Sequence, residues 1–547
     1  MSLSKFSNLF YDLDSNNGLN KKIEILILFF KNNSDLDNAW TIYLLSGKAN
    51  KRFISGKLMR TYYSEIYKLP IWLIETCYSK VGDSAEVISL LLKENIKTNN
   101  NIQFLETSIN KLMKFTLPKL RLLDHEDQKL FLKNIWESTP RENFLVLNKI
   151  LTGTFRIGVS KGLVTKSIAK MIGVEESIIS HRLMGEFKPS TETFKFLTNK
   201  KLDLKELNYK PYPFQLANTL EEKIKKFDVN EYNFEWKWDG IRSQLIKRSN
   251  NISIWTRGEE LVNNSFPELI PIIKSIPDDF VLDGEILVWN LNKNIPNDFS
   301  FLQKRLGRKS PSSKIQKDFP VSFIIYDLLE KNGIDLRNIY LIKRREILEK
   351  SFNKWGIKEN TLFNKKLKIT QLLNVTNWEE VEKKKNKSRE TNTEGLMIKK
   401  KNSKYLSGRK KGIWWKYKVD PVQLDGILIY AKTGSGKRAD LYTDYSFALW
   451  DNNKLVKFAN AYSGLTNQEI KELDKWIRKN TLERFGPVRS VKPEMVFEIS
   501  FDKIQISKRH KSGLAVRFPR ITKWRRDKNI KDADNLNNAF QLMRIEK

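Results

Sequence analysis

The run EYNFEWKWDGIRSQLIKR sets Lys237 between Trp236 and Trp238, with Asp239 two positions on and Arg242 five positions on. That pattern suits a lysine amine that attacks the α-phosphate of a nucleotide. An ammonium has no lone pair to give; burial and neighbouring cations disfavour the charged form and free the amine. The two tryptophans offer apolar walls and Arg242 a nearby positive charge. Gly240 permits a tight turn in which the chain passes close to a ligand. The bland alternative is an edge strand with a turn. K-x-D-G alone is a weak signal in a lysine-rich chain, so its weight comes from the residues that follow it.

Those residues form an ordered set. ISIWTRGEEL puts Arg257 at the end of a strand, and VLDGEILVW puts Asp283 and Glu285 at another strand end. FIIYDLL sets Tyr326 beside Asp327, and TEGLMIKK starts a strand at Glu394. In WWKYK, Lys416 and Lys418 share one strand face, because residues two apart do. RFPRITKWRRDK supplies Arg517, Arg520, Arg525, Asp527 and Lys528. Each type has a use in nucleotidyl transfer: an acid such as Glu285 for ribose hydroxyls, Tyr326 for stacking on a base, Glu394 for Mg2+, and the lysine pair for α-phosphate charge. Taken singly, the lysine pair reads as a solvated strand face, Tyr326 as a core aromatic and DGE as a turn. Their order is what makes the set specific.

These residues need a scaffold larger than one core. The chain has 547 residues, for which about three domains are expected. Up to about residue 205, runs such as NKKIEILILFFKN, SAEVISLLLKENI, TSINKLMKF, EDQKLFLKNIWES and RENFLVLNKILTG carry apolar residues at helical spacing. KPYPFQLA, residues 210–217, reads as an extended linker. Short strands with helices between them then predict an α+β domain. After Asp420-Pro421, LDGILIYAK, FALWD, LVKFANAY and MVFEISFDKIQI suit a small barrel.

Composition narrows the function class. Ninety-eight Lys and Arg against 64 acids give a formal charge of +34, which calls for a polyanionic partner, nucleic acid before membrane. Codon bias explains part of the lysine but not the shortage of acids. Cys77 is the sole cysteine, so neither a disulfide framework nor a cysteine zinc site can form, and His125, His181 and His510 are scattered. The start, MSLSKFSNLFYDLDS, lacks a signal-peptide apolar stretch and no segment is apolar enough to span a membrane. A cytoplasmic, nucleoid-associated monomer is the expectation.

In order, KWDGIR, TRG, DGE, YDLL, EGLMIK, KYK and RRDK resemble the ordered motifs of the covalent nucleotidyltransferases, and the chain is similar over nearly its whole length to ATP-dependent DNA ligases. VGDSAEVISLLL, LTGTFRIGVSKGLV and HRLMGEF resemble their helical region; FLQKRLGRK, GRKKGIWWKYKVDP and LAVRFPR look most like bacterial representatives. The resemblance implies an all-α DNA-binding domain over 1–205, an α+β adenylation domain over 206–420 and a β-barrel OB-fold over 421–547. It implies ATP and Mg2+ as cofactors and nicked duplex DNA as partner. Lys237 would form a lysyl-AMP, pass AMP to the 5′-phosphate at a nick, and the 3′-hydroxyl would displace it. Glu235 would contact the adenine amino group through its side chain or neighbouring backbone; Arg242 and Glu285 ribose or phosphate; Tyr326 the adenine face; Arg257 the nucleotide or nick phosphate. Glu394, with Glu285, would hold metal, and Lys416 and Lys418 the α-phosphate. Arg525, Asp527 and Lys528 would orient pyrophosphate in the first step only. Arg156, Ser160 and Lys161 would grip DNA phosphates.

Two departures stand out. Tyr326 replaces a common phenylalanine, and Gly412 stands where an arginine is usual, which leaves Arg409 or Lys411 to serve. The rival readings are an RNA ligase or capping-type nucleotidyltransferase, and a non-catalytic nucleic-acid clamp. The helical N-terminal region and the RFPR/RRDK tail argue against the first, and the intact set of lysines and acids against the second. TGSGKR at Thr433–Arg438 fails as a phosphate-binding loop: Ala431 stands where the first glycine belongs and Arg438 where Ser or Thr belongs. It reads as a hairpin turn. An NAD-dependent ligase is disfavoured by the missing cysteines.

Overall fold

The computed structural model describes residues 1–47, 52–95, 108–155, 158–200, 210–220, 227–290, 294–306, 308, 310–356, 366–434, 438 and 440–545. Contacts divide the chain into two compact units: Met1–Val164 with Asp420–Lys547, and Thr165–Val419.

The unit Thr165–Val419 is built on two sheets. Its longer strands are β1 (Tyr232–Trp236), β2 (Ile241–Arg248), β3 (Asn251–Thr256), β4 (Phe280–Asn290), β5 (Val321–Lys331), β6 (Leu367–Ile369), β7 (Gly395–Lys400) and β8 (Trp414–Lys418). One sheet runs β6-β5-β4-β2-β3 and the other Asn218–Thr219, β8, β7, β1. Strand alternation explains why they face each other across polar side chains. On β4, Phe280, Leu282, Ile286 and Val288 enter an apolar core shared with Phe323 and Ile325 of β5 and Leu348 of the helix Leu341–Lys354. Leu282 and Ile286 are fully buried, each stabilising by about 1.5–3 kcal/mol. That leaves Asp283 and Glu285 on the opposite face. The second sheet likewise sends Phe234, Leu396, Ile398 and Trp415 into its own core. Its other face presents Glu235, Met397, Lys399, Trp414, Lys416 and Lys418, by the register of β1, β7 and β8. Tyr212, Ile246, Val281, Leu329, Tyr405 and Trp414 join the two inner faces in one cluster.

The helices Glu176–Arg182 and Thr191–Thr198 belong to this unit, not to the helices before them. The Lys210 ammonium donates to the Arg182 carbonyl at 2.7 Å. The His181 ring packs at a tilt against Tyr212, with ring centres 5.0 Å apart. Burial lowers the His181 imidazole to about 3, with the charges of Arg248 and Arg337 acting the same way.

In the other unit, helices over Leu3–Ser15, Leu19–Lys31, Asp35–Leu45, Gly56–Ile66, Ile71–Val81, Ser84–Asn95, His125–Glu137 and Phe144–Thr152 form an all-α region. Ser2, Ser34, Ser55 and Asp124 cap helix starts by accepting backbone N–H groups. Over TSINKLMKF the helix is irregular: Ile109–Lys111 runs on into a π turn at Leu112–Thr116 and a 3-10 turn at Leu117–Arg121. Pro118 has no N–H for the carbonyl four residues back, and its ring crowds that carbonyl.

The C-terminal part is OB-like: β9 (Val422–Thr433), β10 (Tyr442–Asp451), β11 (Lys454–Ala461), β12 (Thr481–Phe485), β13 (Val488–Val491), β14 (Val496–Phe501), β15 (Lys503–Ile506), β16 (Leu514–Arg517) and β17 (Arg520–Trp524). β9 pairs β10 on one edge; on the other it pairs β14 along its first half and β13 along its second, which curls the sheet toward a half-barrel. β9 and β10 form the expected hairpin, with Ser435, Gly436 and Lys437 of TGSGKR outside the described residues. Among the described residues no helix is long and apolar enough to cross a membrane.

Candidate active site

Lys237 leaves the end of β1 and meets the residue before β7. Its N–H donates to Gly395 O at 2.8 Å, and the Glu394 N–H donates to Lys237 O at 2.8 Å. The side chains close the same pair: Lys237 Nζ lies 2.5 Å from Glu394 Oε2, with Lys418 Nζ 3.3 Å from the same oxygen. Gly395 makes the approach possible. Its φ of +131° disfavours a side chain, and a Cβ there would meet the Tyr417 carbonyl oxygen at 2.2 Å. Gly240 plays the matching part across the site, where a Cβ would lie 2.3 Å from Ile286 O and 2.7 Å from the Glu285 side chain. Burial alone would raise the Glu394 carboxyl, but the charges of Lys237 and Lys418 outweigh it and hold it at about 2. Lys416 is lowered, first by burial and then by Lys418, Arg409 and Lys237.

Deeper along the same face, Lys399 Nζ donates to Glu235 Oε2 at 2.7 Å, with both side chains buried. The other Glu235 oxygen has no protein partner among the described residues. Lys399 also sits 4.8 Å from the Tyr326 ring centre and 4.6 Å from that of Trp414. Tyr326 therefore faces the paired strands β1 and β7, which carry Glu235 and Lys399.

On the opposing sheet, Arg242 of β2 grips Asp283 of β4 with Nε at 3.2 Å and Nη2 at 2.7 Å, and donates to Gln215 O at 2.6 Å. Tyr405 adds a hydroxyl to Asp283 at 2.8 Å. Arg242 is thus heavily engaged by protein groups. Asp327, beside Tyr326, is paired in full burial with Arg344 at 2.8 Å. Glu285 accepts a short hydrogen bond from the Tyr326 hydroxyl. Burial pushes Glu285 up to about 7, against the pull of that bond and of Lys237 and Arg242. The tyrosine hydroxyl thus has its partner. The setting differs from expectation in one respect. Asp283, Glu285 and Tyr326 lie in mid-strand, because β4 and β5 are each 11 residues long and carry the polar residues on a face rather than at an end.

Arg257 lies just past β3, exposed, its N–H donating to Arg242 O at 2.8 Å. Near the usual-arginine position, Gly412 and Lys411 are exposed, while Arg409 bears electrostatically on Lys416. In the other unit, Arg525 pairs with Asp527 at 2.7 Å and Asp425 at 3.1 Å, and Lys528 with Asp425 at 2.6 Å. Asp502 holds Arg520 at 3.0 Å. Of the expected DNA contacts, Arg156 lies outside the described residues. Ser160 is exposed and accepts the Leu163 N–H at 3.3 Å at the start of the helix Lys161–Ile172.

Family comparison decides the class. The model described as "ATP dependent DNA ligase domain" matches residues 214–418. "DNA ligase N terminus" matches 2–169 and "ATP dependent DNA ligase C terminal region" matches 438–528. The chain belongs to the ATP-dependent DNA ligases. Nick sealing is the activity of that family. The ligase is 35% identical to the "Probable DNA ligase" of Koribacter versatilis over 75% of this chain and 73% of the other. It is 28% identical to "DNA ligase 2" of Methanosarcina acetivorans over 88% and 87%. The solved structure "Pmar-Lig_PreS3" shares the fold, with a TM-score of 0.60 at 17% identity, covering 95% of this chain and 99% of that one.

Sequence reasoning missed Lys399, Tyr405, Gln215 and Asp425. Lys399 had a signal, since it shares a strand face with Met397 inside EGLMIKK. The others come from segments that carry no chemical motif.

Proposed function

We propose that Lys237 is the residue of this ligase that carries AMP, and that the two inner sheet faces hold ATP. The observation that carries this reading is the Lys237–Glu394 pair, locked by backbone bonds and flanked by Lys418 and Lys416. In the first step Lys237 gives up a proton to solvent, its lone pair attacks the α-phosphorus, the bond to the bridging oxygen breaks, and pyrophosphate leaves with that electron pair. A carboxyl held at about 2 is a poor proton acceptor, so Glu394 acts by charge and position rather than as a base. Lys416 and Lys418 offset charge that develops on the α-phosphate oxygens. The unpartnered Glu235 oxygen accepts the adenine amino group, Tyr326 stacks on the base, and Glu285 receives the ribose hydroxyls. Arg242 orients through Asp283, and Arg409 stands in for the arginine missing at Gly412. The tail of Arg525, Asp527 and Lys528 acts in the first step only, with Lys528 directed at the pyrophosphate.

Mg2+ fits this donor set. It favours one or two carboxylates plus substrate phosphates, and Glu394 stays ionised and borders the lysine pair. Among the described residues no cluster of three protein donors exists, consistent with phosphates completing the shell. Glu285, raised toward neutrality, suits ribose better than metal. When bound, the ion would neutralise phosphate charge and compete with Lys237 for the Glu394 carboxylate.

The test is incubation with α-labelled ATP, GTP and NAD separately, followed by a chase with nicked duplex DNA. Label from ATP alone, passed to the 5′-phosphate of the nick, is the expected result. Label from NAD, or label that nicked DNA does not discharge, would contradict the reading.

A further inference from the structure

Asp425 is an acid the reaction does not obviously need. It lies near the start of β9, its side chain only 8% exposed. Two cations from the RRDK tail converge on it. Lys528 Nζ donates at 2.6 Å and Arg525 Nη1 at 3.1 Å. Asp425 itself cannot drift, because its N–H donates to Asp534 Oδ2 at 2.7 Å and its carbonyl accepts the Asp534 N–H at 2.9 Å.

The two cations are not equivalent. Arg525 is sandwiched: Nε and Nη2 donate to Asp527 at 3.0 and 2.7 Å while Nη1 serves Asp425. All three of its guanidinium nitrogens are engaged within the protein. Lys528 spends one of three N–H groups on Asp425 and keeps its side chain 31% exposed. A free lysine head on a four-carbon stem samples many rotamers, and fixing it costs conformational entropy. A buried carboxylate that already holds it meets that cost in advance and leaves two N–H groups to spare.

We propose that Asp425 is a positioning residue for self-adenylation: it presents Lys528 to the leaving pyrophosphate, while Arg525 braces the turn instead of touching ligand. This rests on the reading that the RRDK tail acts in the first step. Asp425 acts on the reaction through Lys528, so its loss slows the step that Lys528 serves.

Three full-length variants test it: Asp425→Asn, Lys528→Ala and the double variant, with Asp425→Glu as the conservative control. In single turnover, Asp425→Asn should slow lysyl-AMP formation about 10- to 100-fold, the usual effect of a group displaced by about 1 Å. It should raise the KM for pyrophosphate in stripping AMP from preloaded enzyme. Sealing of a nick that is already 5′-adenylated should stay within about twofold of the parent. Asp425→Glu should recover part of the loading rate, and the double variant should load no more slowly than Lys528→Ala. If Lys528→Ala loads AMP normally, the underlying reading of the tail fails. If Lys528→Ala is slow but Asp425→Asn loads normally, only the role of Asp425 fails. Equal losses in loading and sealing by Asp425→Asn, with a lowered melting temperature, would make Asp425 a structural residue and overturn the proposal.

Discussion

Lys237 and Glu394 are tied twice, by side chains 2.5 Å apart and by backbone hydrogen bonds on either side of Gly395. The amine and its counter-ion are therefore set by the pairing of β1 with β7, not by loop conformation. Replacing Glu394 with Gln keeps the backbone bonds and removes the charge. Lysyl-AMP formation in that variant should fall about a hundredfold or more, in line with loss of a preorganised electrostatic group. Near-parental loading would show that the carboxylate is not needed.

Glu285 should make stability depend on pH. Its folded pKa, about 7, lies above the ordinary 4.5, so the ionised form is disfavoured by folding. Its unfavourable contribution grows as pH rises from about 4.5 to about 7 and is constant above. Glu285→Gln should therefore gain melting temperature relative to the parent between pH 5 and pH 8. A difference that does not change with pH would contradict the burial argument.

Lys399 and Glu235 form a buried pair whose separation strands a charge. Lys399→Met should cost about 3–5 kcal/mol in denaturant unfolding. Adding Glu235→Gln should return most of that, and the double variant should discriminate poorly between ATP and GTP. Additive losses would mean that the two side chains do not depend on each other.

Much of this was legible in the sequence where a motif is contiguous. KWDGIR and EGLMIKK named both Lys237 and Glu394, and the change from helical to strand periodicity near Tyr232 located the sheets. The Glu235–Lys399 pair was not legible, because it requires the register of β1 on β7. The mid-strand position of Glu285 was hidden because β4 is buried on both faces and shows no simple alternation of polar and apolar residues. Asp425 looked like part of an ordinary strand start, since its two partners lie about a hundred residues away. The irregular helix after Ser108 is marked by Pro118, a signal that apolar spacing alone does not weigh.

DNA binding should be governed by phosphate contacts, as suits an enzyme that acts at any sequence. With about six contacts, affinity should fall roughly a thousandfold between about 50 and 200 mM salt, linearly in log–log form. Lys161→Ala should weaken binding to all sequences alike and lower the slope by about one. Affinity indifferent to salt would refute a backbone grip.

The most direct measurement is to locate the AMP. The protein is loaded with labelled ATP and Mg2+, digested, and the adenylated peptide sequenced by mass spectrometry, alongside Lys237→Ala and Lys237→Arg. The label should be acid-labile and sit on Lys237. Both variants should fail to load, the arginine because a guanidinium stays protonated and cannot attack. AMP on any other residue, or loading by Lys237→Ala, would contradict the assignment.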